Sequence, residues 1–471
     1  MSEIKFGTDG WRDLMYDRFN LSNVKQVVNA IARYTKDNHG EERGVVVGYD
    51  ARFFSDFFAK KAAEVLTSQG IKVYFSERDF PTPVIAFAVT YYRAFGAIMF
   101  TASHNPPEYN GIKFIPEYAG PASLEITKAI EANLAKYIEA DFVVGQPNSQ
   151  LITKIEPTEA YLKQLNNLID IDAIKKAKIN LVIDPMYATG RGFLAELFKD
   201  CSVTEIHNWR DPLFGGTMPD PQGEFLGELM ASVKSKNNSI GLATDGDADR
   251  FGIVDSDGTY LNPNQVISLL MWHLITNRGL KGIAARTVAT SHMIDRLGEL
   301  YGVEAVETPV GFKYIGEMMR TRQVIIGGEE SGGLSIQGHL PEKDGILACA
   351  LMAELRAITG KPLLATLQDL YNKVGQFYSN RLDIHLSEKA KATVLDCCKA
   401  NPPETIGAIK VKEVRKIDGF KFVLSNGSWF LIRPSGTEPL IRIYFETNSA
   451  GELQELIDNV RRLVEQWSKT A

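Results

Sequence analysis

Short apolar runs that end in polar loops, each followed by a helical pattern, recur along most of this chain, and that alternation restricts it to an α/β architecture. RGVVVGYD (43–50) reads as a buried strand, SDFFAKKAAEVLTSQG (55–70) as an amphipathic helix closed by glycine, and IKVYFSE (71–77) as the next strand. AFGAIMFTAS (94–103) is a further strand running into a turn. The rhythm restarts with KINLVIDPMYATGRGFLAELF (178–198) and IGLATDGDADRFGIVD (240–255). It restarts again with GIAARTVATSHMIDRLGELYG (282–302), VEAVETPVGFKYIGEMM (303–319) and QVIIGGEESGG (323–333). Three loosely similar units of roughly 100–150 residues fit a chain of 471.

The C-terminal part breaks the pattern. Residues 414–447 read as an antiparallel meander with turns at Asp418-Gly419 and Asn426-Gly427, followed by a helix over roughly 450–468. This predicts a separate α+β domain, with Lys361–Gln376 before it as a hinge region.

Composition narrows the class. Apolar residues at 44% and charged residues at 23% are ordinary for a soluble globular protein, which excludes wholesale disorder, collagen and coiled coil. A net charge of −6 argues against a nucleic-acid partner but leaves room for a small anionic substrate in a local basic pocket. The four cysteines, Cys201, Cys349, Cys397 and Cys398, show no framework spacing, so a reducing compartment is expected, with the 397–398 pair as helix packing. The opening MSEIKFGTDGWR is polar and does not read as a signal peptide. The most apolar stretch, Val266 to Ile275, is broken by Ser268 and His273 and is too short to span a bilayer. A cytoplasmic protein without a membrane partner is the expectation.

Four polar loops fall where strands end, the place where ligands gather in α/β proteins. In Thr101-Ala102-Ser103-His104-Asn105-Pro106-Pro107, an apolar strand delivers a Ser-His pair, with Lys113 downstream. The residues fit an activated serine and equally a structural turn. In Asp245-Gly246-Asp247-Ala248-Asp249-Arg250, three carboxylates at i, i+2 and i+4 can converge on one hard cation. An EF-hand is excluded, because Arg250 stands at the sixth position and Ser256 at the twelfth. Metal is favoured over a solvated acidic turn because apolar strands flank the loop, and Mg²⁺ suits carboxylates completed by a phosphate oxygen and water. In Gly327-Gly328-Glu329-Glu330-Ser331-Gly332-Gly333, glycines allow close backbone approach, and Glu329 and Ser331 could read sugar hydroxyls; a plain flexible loop is the alternative. His339 and Pro341-Glu342-Lys343-Asp344-Gly345 follow with more titratable groups. In Arg433-Pro434-Ser435-Gly436-Thr437-Glu438-Pro439, with Arg442 nearby, hydroxyls, amides and a guanidinium could cradle phosphate, or form an ordinary turn. No GxxxxGK[ST] is present, and the GxGxxA match at Gly190-Arg191-Gly192 and Ala195 lies too far past its strand for a dinucleotide turn.

Together, TASHNP, DGDADR, GEESGG and RPSGTEP, in this order over the whole chain and with FGTDGWR (6–12) at its opening, resemble the α-D-phosphohexomutase superfamily of phosphoglucomutases and phosphomannomutases. The resemblance implies three related α/β domains with mixed sheets plus a C-terminal α+β domain around a central cleft. It places a phosphoserine-loop domain at 1–150, a metal-binding domain at 151–256, a sugar-binding domain at 257–372 and a mobile phosphate-binding domain at 373–471. It implies Ser103 as the phosphorylated residue, and a Mg²⁺ site from Asp245, Asp247, Asp249 and the phosphoserine. Glu329 and Ser331 are implied as sugar contacts, and Arg433, Ser435, Gly436 and Thr437, with Arg442 nearby, as the distal phosphate anchor.

In such an enzyme a sugar 1-phosphate takes a phosphoryl group from Ser103, becomes a 1,6-bisphosphate, turns around and returns its other phosphate to Ser103. Lys113 would stabilise the moving group and Arg12 orient it, with water excluded. Lys343 and His104 are both candidates for general acid and base, Lys343 on the expectation that a cationic, closed site depresses its pKa. GEESGG looks more like glucose-type members than GEMSGH or GEQSGH, since Glu330 and Gly333 replace the Met or Gln and the final His. The expectation is a phosphoglucomutase with glucose 1,6-bisphosphate as intermediate and activator. A sugar-1,6-bisphosphate synthase, a phosphomannomutase and a non-catalytic sugar-phosphate-binding regulator are the alternatives.

Overall fold

The computed structural model describes residues 4–7, 9–138, 145–435 and 439–469. By internal contacts the chain forms two compact units: one runs to Gly282 and takes in Gly311–Thr366, and the other comprises Ile283–Val310 and the chain from Leu367 onward.

In the first unit, one sheet contains β1 (Trp11–Leu14), β2 (Val45–Tyr49), β3 (Val73–Ser76), β4 (Gly96–Phe100), β5 (Tyr109–Pro116) and β6 (Ile152–Ile155) in the order β1-β5-β4-β2-β3-β6. β2 pairs parallel with β3 and β4, whereas β5 is antiparallel to β4 and β1. The central strands VVVGY and GAIMF are buried at every position, as strands covered on both faces must be. A second sheet has the order β11-β10-β9-β7-β8, from β7 (Asn180–Asp184), β8 (Ser202–Glu205), β9 (Ser239–Thr244), β10 (Phe251–Val254) and β11 (Tyr260–Leu261). Both sheets are mixed, because β9 is parallel to β7 but antiparallel to β10.

A third strand–helix round is divided between the units. Ile283–Thr287 (β12) and Ala305–Thr308 (β13) run parallel in the second unit, whereas Val324–Gly328 (β14) and Leu334–Ile336 (β15) form an antiparallel pair in the first. The rest of the second unit is an antiparallel sheet, β16 (Tyr378–His385), β17 (Thr405–Ile406), β18 (Ile409–Arg415), β19 (Phe420–Leu424), β20 (Trp429–Pro434) and β21 (Leu440–Thr447). The expected turns are there, with Gly419 and Gly427 at φ of 88° and 87°, and a final helix spans Ala450–Lys469. All four cysteines are free, with Cys398 buried on the helix Glu388–Ala400.

Within the expected hinge region Lys361–Gln376 lies the helix Leu363–Val374. Its apolar residues Leu363, Leu367, Leu370 and Val374 recur at helical spacing and are buried. The Asp255 carboxylate accepts the first N–H groups, from Leu363 at 2.9 Å and Leu364 at 2.8 Å. The division between the units falls inside this helix, after Thr366.

Candidate active site

The buried strand β4 ends in the loop that carries Ser103, and the chain returns through β5. Ser103 is 1% exposed and adopts φ of 51°, a left-handed conformation that costs a non-glycine residue about 1–2 kcal/mol. Several bonds hold it there. Ser103 N–H donates to Thr101 Oγ1 at 2.8 Å. Arg52 Nη2 donates to the carbonyls of Ser103 and Asn105, each at 2.6 Å, and Arg52 Nη1 to those of Pro106 at 2.7 Å and Tyr109 at 3.1 Å. Arg52 has no exposed side-chain surface and lies 3.2 Å from Asp50. Neither residue was expected from sequence, although both follow β2 at its carboxyl end, where the other functional loops were sought. Arg12 Nη1 donates to Asn105 Oδ1 at 3.0 Å from the neighbouring β1.

The loop between β9 and β10 meets this one. Asp245, Asp247 and Asp249 are at most 1% exposed, and each offers an oxygen within 4.8 Å of the others. Ser103 Oγ donates to Asp245 Oδ2 at 2.7 Å. Gly246 makes that approach feasible: a Cβ on it would lie 2.3 Å from the Ser103 carbonyl oxygen. From β5, Lys113 Nζ bonds Asp247 Oδ2 and Asp249 Oδ2, both at 2.8 Å, and lies 3.0 Å from Asp9 Oδ2. Lys343 Nζ bonds the same Asp9 oxygen at 2.9 Å and lies 3.2 Å from Asp249. Asp9 was missed in the sequence, where TDG is one short turn-like triplet among many. The remaining oxygens, Asp247 Oδ1 and Asp249 Oδ1, are buried without a hydrogen-bond partner. Orphaned, all-oxygen donors fit a hard divalent cation.

The electrostatics follow from this crowding. Burial, then Asp247 and Asp249, raise Asp245 well above the usual carboxylate range. Burial also opposes ionisation of Asp247, but Lys113, the Thr82 hydroxyl and Arg12 together outweigh it and pull the pKa down. Lys113 is held charged against burial by Asp247, Asp249 and Asp9. Lys343 corrects the expectation of a depressed pKa: its surroundings are anionic, and Asp249 and Asp9 overcome burial and raise it. His104 is the group pushed down, by burial and by Arg250, Arg12, Arg52 and Lys113, and its Nδ1 lies 3.4 Å from Ser103 Oγ.

The GEESGG loop turns between β14 and β15. Glu329 is 6% exposed, its Oε1 accepts from Gly311 N–H at 3.0 Å, and burial raises its pKa to about 7 against the pull of Lys343, with Glu330 adding to the rise. Ser331 sits half-buried in the same turn. Gly333 packs on the Lys343 stem, because a Cβ there would fall 2.5 Å from Lys343 Cδ. His339 has a structural role, bonding Asp344 Oδ2 at 2.8 Å, while Asp344 Oδ1 caps the helix Gly345–Thr359 through Leu347 N–H at 2.9 Å.

The first unit thus gathers Ser103, His104, Lys113, Arg12, Lys343 and the three aspartates. Arg433, Ser435 and Arg442 belong to the second unit, and Gly436 and Thr437 lie outside the described residues. Arg433 and Arg442 are directly opposed across β20 and β21. Like charges so placed repel, and an anion would relieve them. Arg433 Nε donates to Asp418 Oδ2 at 2.9 Å, Arg442 Nε lies 3.9 Å from Asp383, and Ser435 N–H donates to the Leu440 carbonyl at 3.0 Å.

A serine in reach of a carboxylate triad, flanked by charged lysines, defines a centre suited to phosphoryl transfer. The chain belongs to the phosphoglucomutase/phosphomannomutase family, matching its alpha/beta/alpha domain I over residues 3–141, domain II over 159–258, domain III over 262–374 and the C-terminal domain over 386–463. The phosphoglucomutase of Komagataeibacter xylinus is 30% identical over 96% of this chain and 89% of its own length. A Pyrococcus abyssi protein assigned provisionally as a phosphoglucosamine mutase is 30% identical over 99% of both chains. The crystal structure of a Thermus thermophilus protein, provisionally a phosphomannomutase, superposes with a TM-score of 0.88 at 33% identity, covering 98% of this chain and 99% of its own. The family is one of phosphohexose isomerases in carbohydrate metabolism, and its members named here differ in the sugar. Among the described residues no helix is long and apolar enough to cross a membrane.

Proposed function

We propose that the protein is a phosphoglucomutase, which interconverts glucose 1-phosphate and glucose 6-phosphate through a phosphoserine at Ser103 and a glucose 1,6-bisphosphate intermediate. The observation that carries this reading is the 2.7 Å bond from Ser103 Oγ to Asp245, beside buried carboxylate oxygens that have no partner. A phosphoryl group on that oxygen sets anion against anion, so the centre requires added positive charge. Asp245, Asp247 and Asp249 would hold Mg²⁺, which supplies charge to the oxygens of the transferring group when bound.

The chain's own residues do the rest. Lys113 and Lys343, kept as cations by their aspartates, face the charge that develops on the transferring group. Arg12 fixes Asn105 in the serine loop. In the forward half-reaction the Ser103 Oγ–P bond breaks and a bond forms from phosphorus to the sugar oxygen. The proton of that sugar hydroxyl ends on Ser103 Oγ, relayed by His104, the neutral base beside it. Glu329 and Ser331 bind sugar hydroxyls, and Arg433, Ser435, Gly436, Thr437 and Arg442 hold the distal phosphate in both orientations. The glucose assignment rests on Glu330 and Gly333 in GEESGG, where Gly333 leaves its space to the Lys343 stem.

The test is incubation of the pure protein with glucose 1-phosphate, Mg²⁺ and trace glucose 1,6-bisphosphate, with all three sugar phosphates quantified. Glucose 6-phosphate is expected to accumulate while the bisphosphate stays catalytic in amount. Net accumulation of bisphosphate from an added donor would identify a synthase instead, and faster turnover of mannose 1-phosphate a phosphomannomutase. EDTA is expected to abolish the reaction, and full activity after extensive dialysis against EDTA would refute the metal assignment.

A further inference from the structure

The Asp247 carboxylate is used asymmetrically. Its Oδ2 accepts from Thr82 Oγ1 at 2.6 Å and from Lys113 Nζ at 2.8 Å, while Oδ1 is buried without a partner. The Asp247 backbone carbonyl also accepts from Thr82 N–H, at 2.8 Å. Thr82 is fully buried and opens the helix Thr82–Tyr91. Pro81 precedes it, Pro83 follows it, and every residue of that helix from Thr82 to Val89 is buried, so it presents its first residue from a fixed support. The Thr82 hydroxyl bonds a residue 165 positions away, on another sheet's loop.

We propose that Thr82 is a positioning residue for the divalent cation, an inference that rests on the metal reading above. Its hydroxyl and N–H pin Asp247 by side chain and backbone together, so that Oδ2 is turned inward and Oδ1 is left as the cation's ligand. Lys113 alone does not fix that rotation, because its ammonium sits on a flexible stem and is shared with Asp249 and Asp9. Hydrogen bonds to the non-ligating oxygen are the usual means by which a protein orients a carboxylate toward a metal.

Thr82→Val keeps the shape and removes only the hydroxyl, and Thr82→Ser restores it. Binding of Mn²⁺ to the purified full chain, followed by electron paramagnetic resonance of the free ion, reads the site without any turnover. Thr82→Val is expected to raise the Mn²⁺ dissociation constant by about 10–100-fold, and the Mg²⁺ concentration for half-maximal turnover in step. Thr82→Ser is expected to fall within about threefold of wild type. Wild-type affinity in Thr82→Val, or no recovery in Thr82→Ser, would overturn the proposal while leaving the metal site standing. A wild-type protein that takes up neither Mn²⁺ nor Mg²⁺ would overturn the metal reading together with this one.

Discussion

Two buried lysines of this chain, one in each unit, are driven in opposite directions. Lys343 lies against Asp9 and Asp249, which outweigh burial and keep it a cation. Lys421 is fully buried in the second unit, donates to the Val288 carbonyl at 2.8 Å, lies 3.2 Å from Glu307 and sits 3.8 Å over the Trp429 ring. There burial dominates, Arg286 adds to it, and the pKa falls to about 7. Burial is common to both: at Lys343 the carboxylates outweigh it, whereas at Lys421 burial and Arg286 together outweigh the pull of Glu307 and Glu446. A lysine surrounded by carboxylates is a fixed charge available to a substrate, whereas one beside an arginine and an indole serves packing.

If that distinction holds, substitutions around the two lysines should separate by orders of magnitude. The largest effect is expected for Ser103→Ala, which should cut turnover by at least about 10⁴-fold, with the thermal transition close to wild type. Near-normal turnover would remove the covalent phosphoserine from the scheme. Asp9→Asn takes away the carboxylate that Lys113 and Lys343 share, at 3.0 and 2.9 Å. A loss of about 10²–10³-fold in kcat is expected, because a misplaced cation no longer meets the developing charge. An unchanged kcat would mean that the lysines need no carboxylate to hold them.

If Glu329 binds the sugar as proposed, Glu329→Ala should cost about 1–3 kcal/mol per hydroxyl left unpaired, equally from the 1-phosphate and the 6-phosphate. Arg433→Ala should likewise weaken both directions, and impairment of one alone would require two separate binding modes. Glu329 also carries a pH signature, with Lys343, Glu330, Arg250 and Asp9 as the charges that act on it. Since its pKa is raised to about 7, the acceptor form is lost as pH falls below that value. KM for either sugar phosphate should therefore rise on the acid side, and Glu329→Gln should lack this step.

The smallest effect on turnover belongs to Lys421→Met, with kcat within about twofold of wild type, because its amine bonds Val288 and Glu307, neither of them assigned to the reacting group or the sugar. Lys421 has a folded pKa of about 7 against an ordinary value of 10.5. Between those two values the unfolded chain binds more protons, so wild-type stability should climb with rising pH, and below about 7 the burial penalty is present in full. Tm measured against pH for wild type and Lys421→Met should show that climb in the wild type alone. Its presence in both would place the shift elsewhere.

Much of the site was legible because its chemistry is local in sequence. DGDADR and the serine loop each carry their donors within a few residues, at the carboxyl end of an apolar strand. What escaped was supplied by topology. Asp9 reaches Lys343 across 334 positions, and Thr82 reaches Asp247 across 165. Neither pairing has a spacing to read. Arg52 had a usable signal, as a charged residue just past β2, but the strand was read only up to Asp50. The protonation of Lys343 was misjudged for the same reason: its neighbours were taken to be cations, and the fold supplies Asp9 and Asp249. Lys361–Gln376 was read as a hinge region without its helix, although Leu363, Leu367, Leu370 and Val374 already spell a buried helical face.

The absent side chain at Gly246 has a consequence in genetics. Any Cβ there would strike the Ser103 carbonyl oxygen at 2.3 Å, a backbone atom that no rotamer change can move aside. Every amino acid that a single-base change can put in place of glycine carries that carbon. The codon for Gly246 therefore has no mild missense neighbour. Variation there should be confined to synonymous changes.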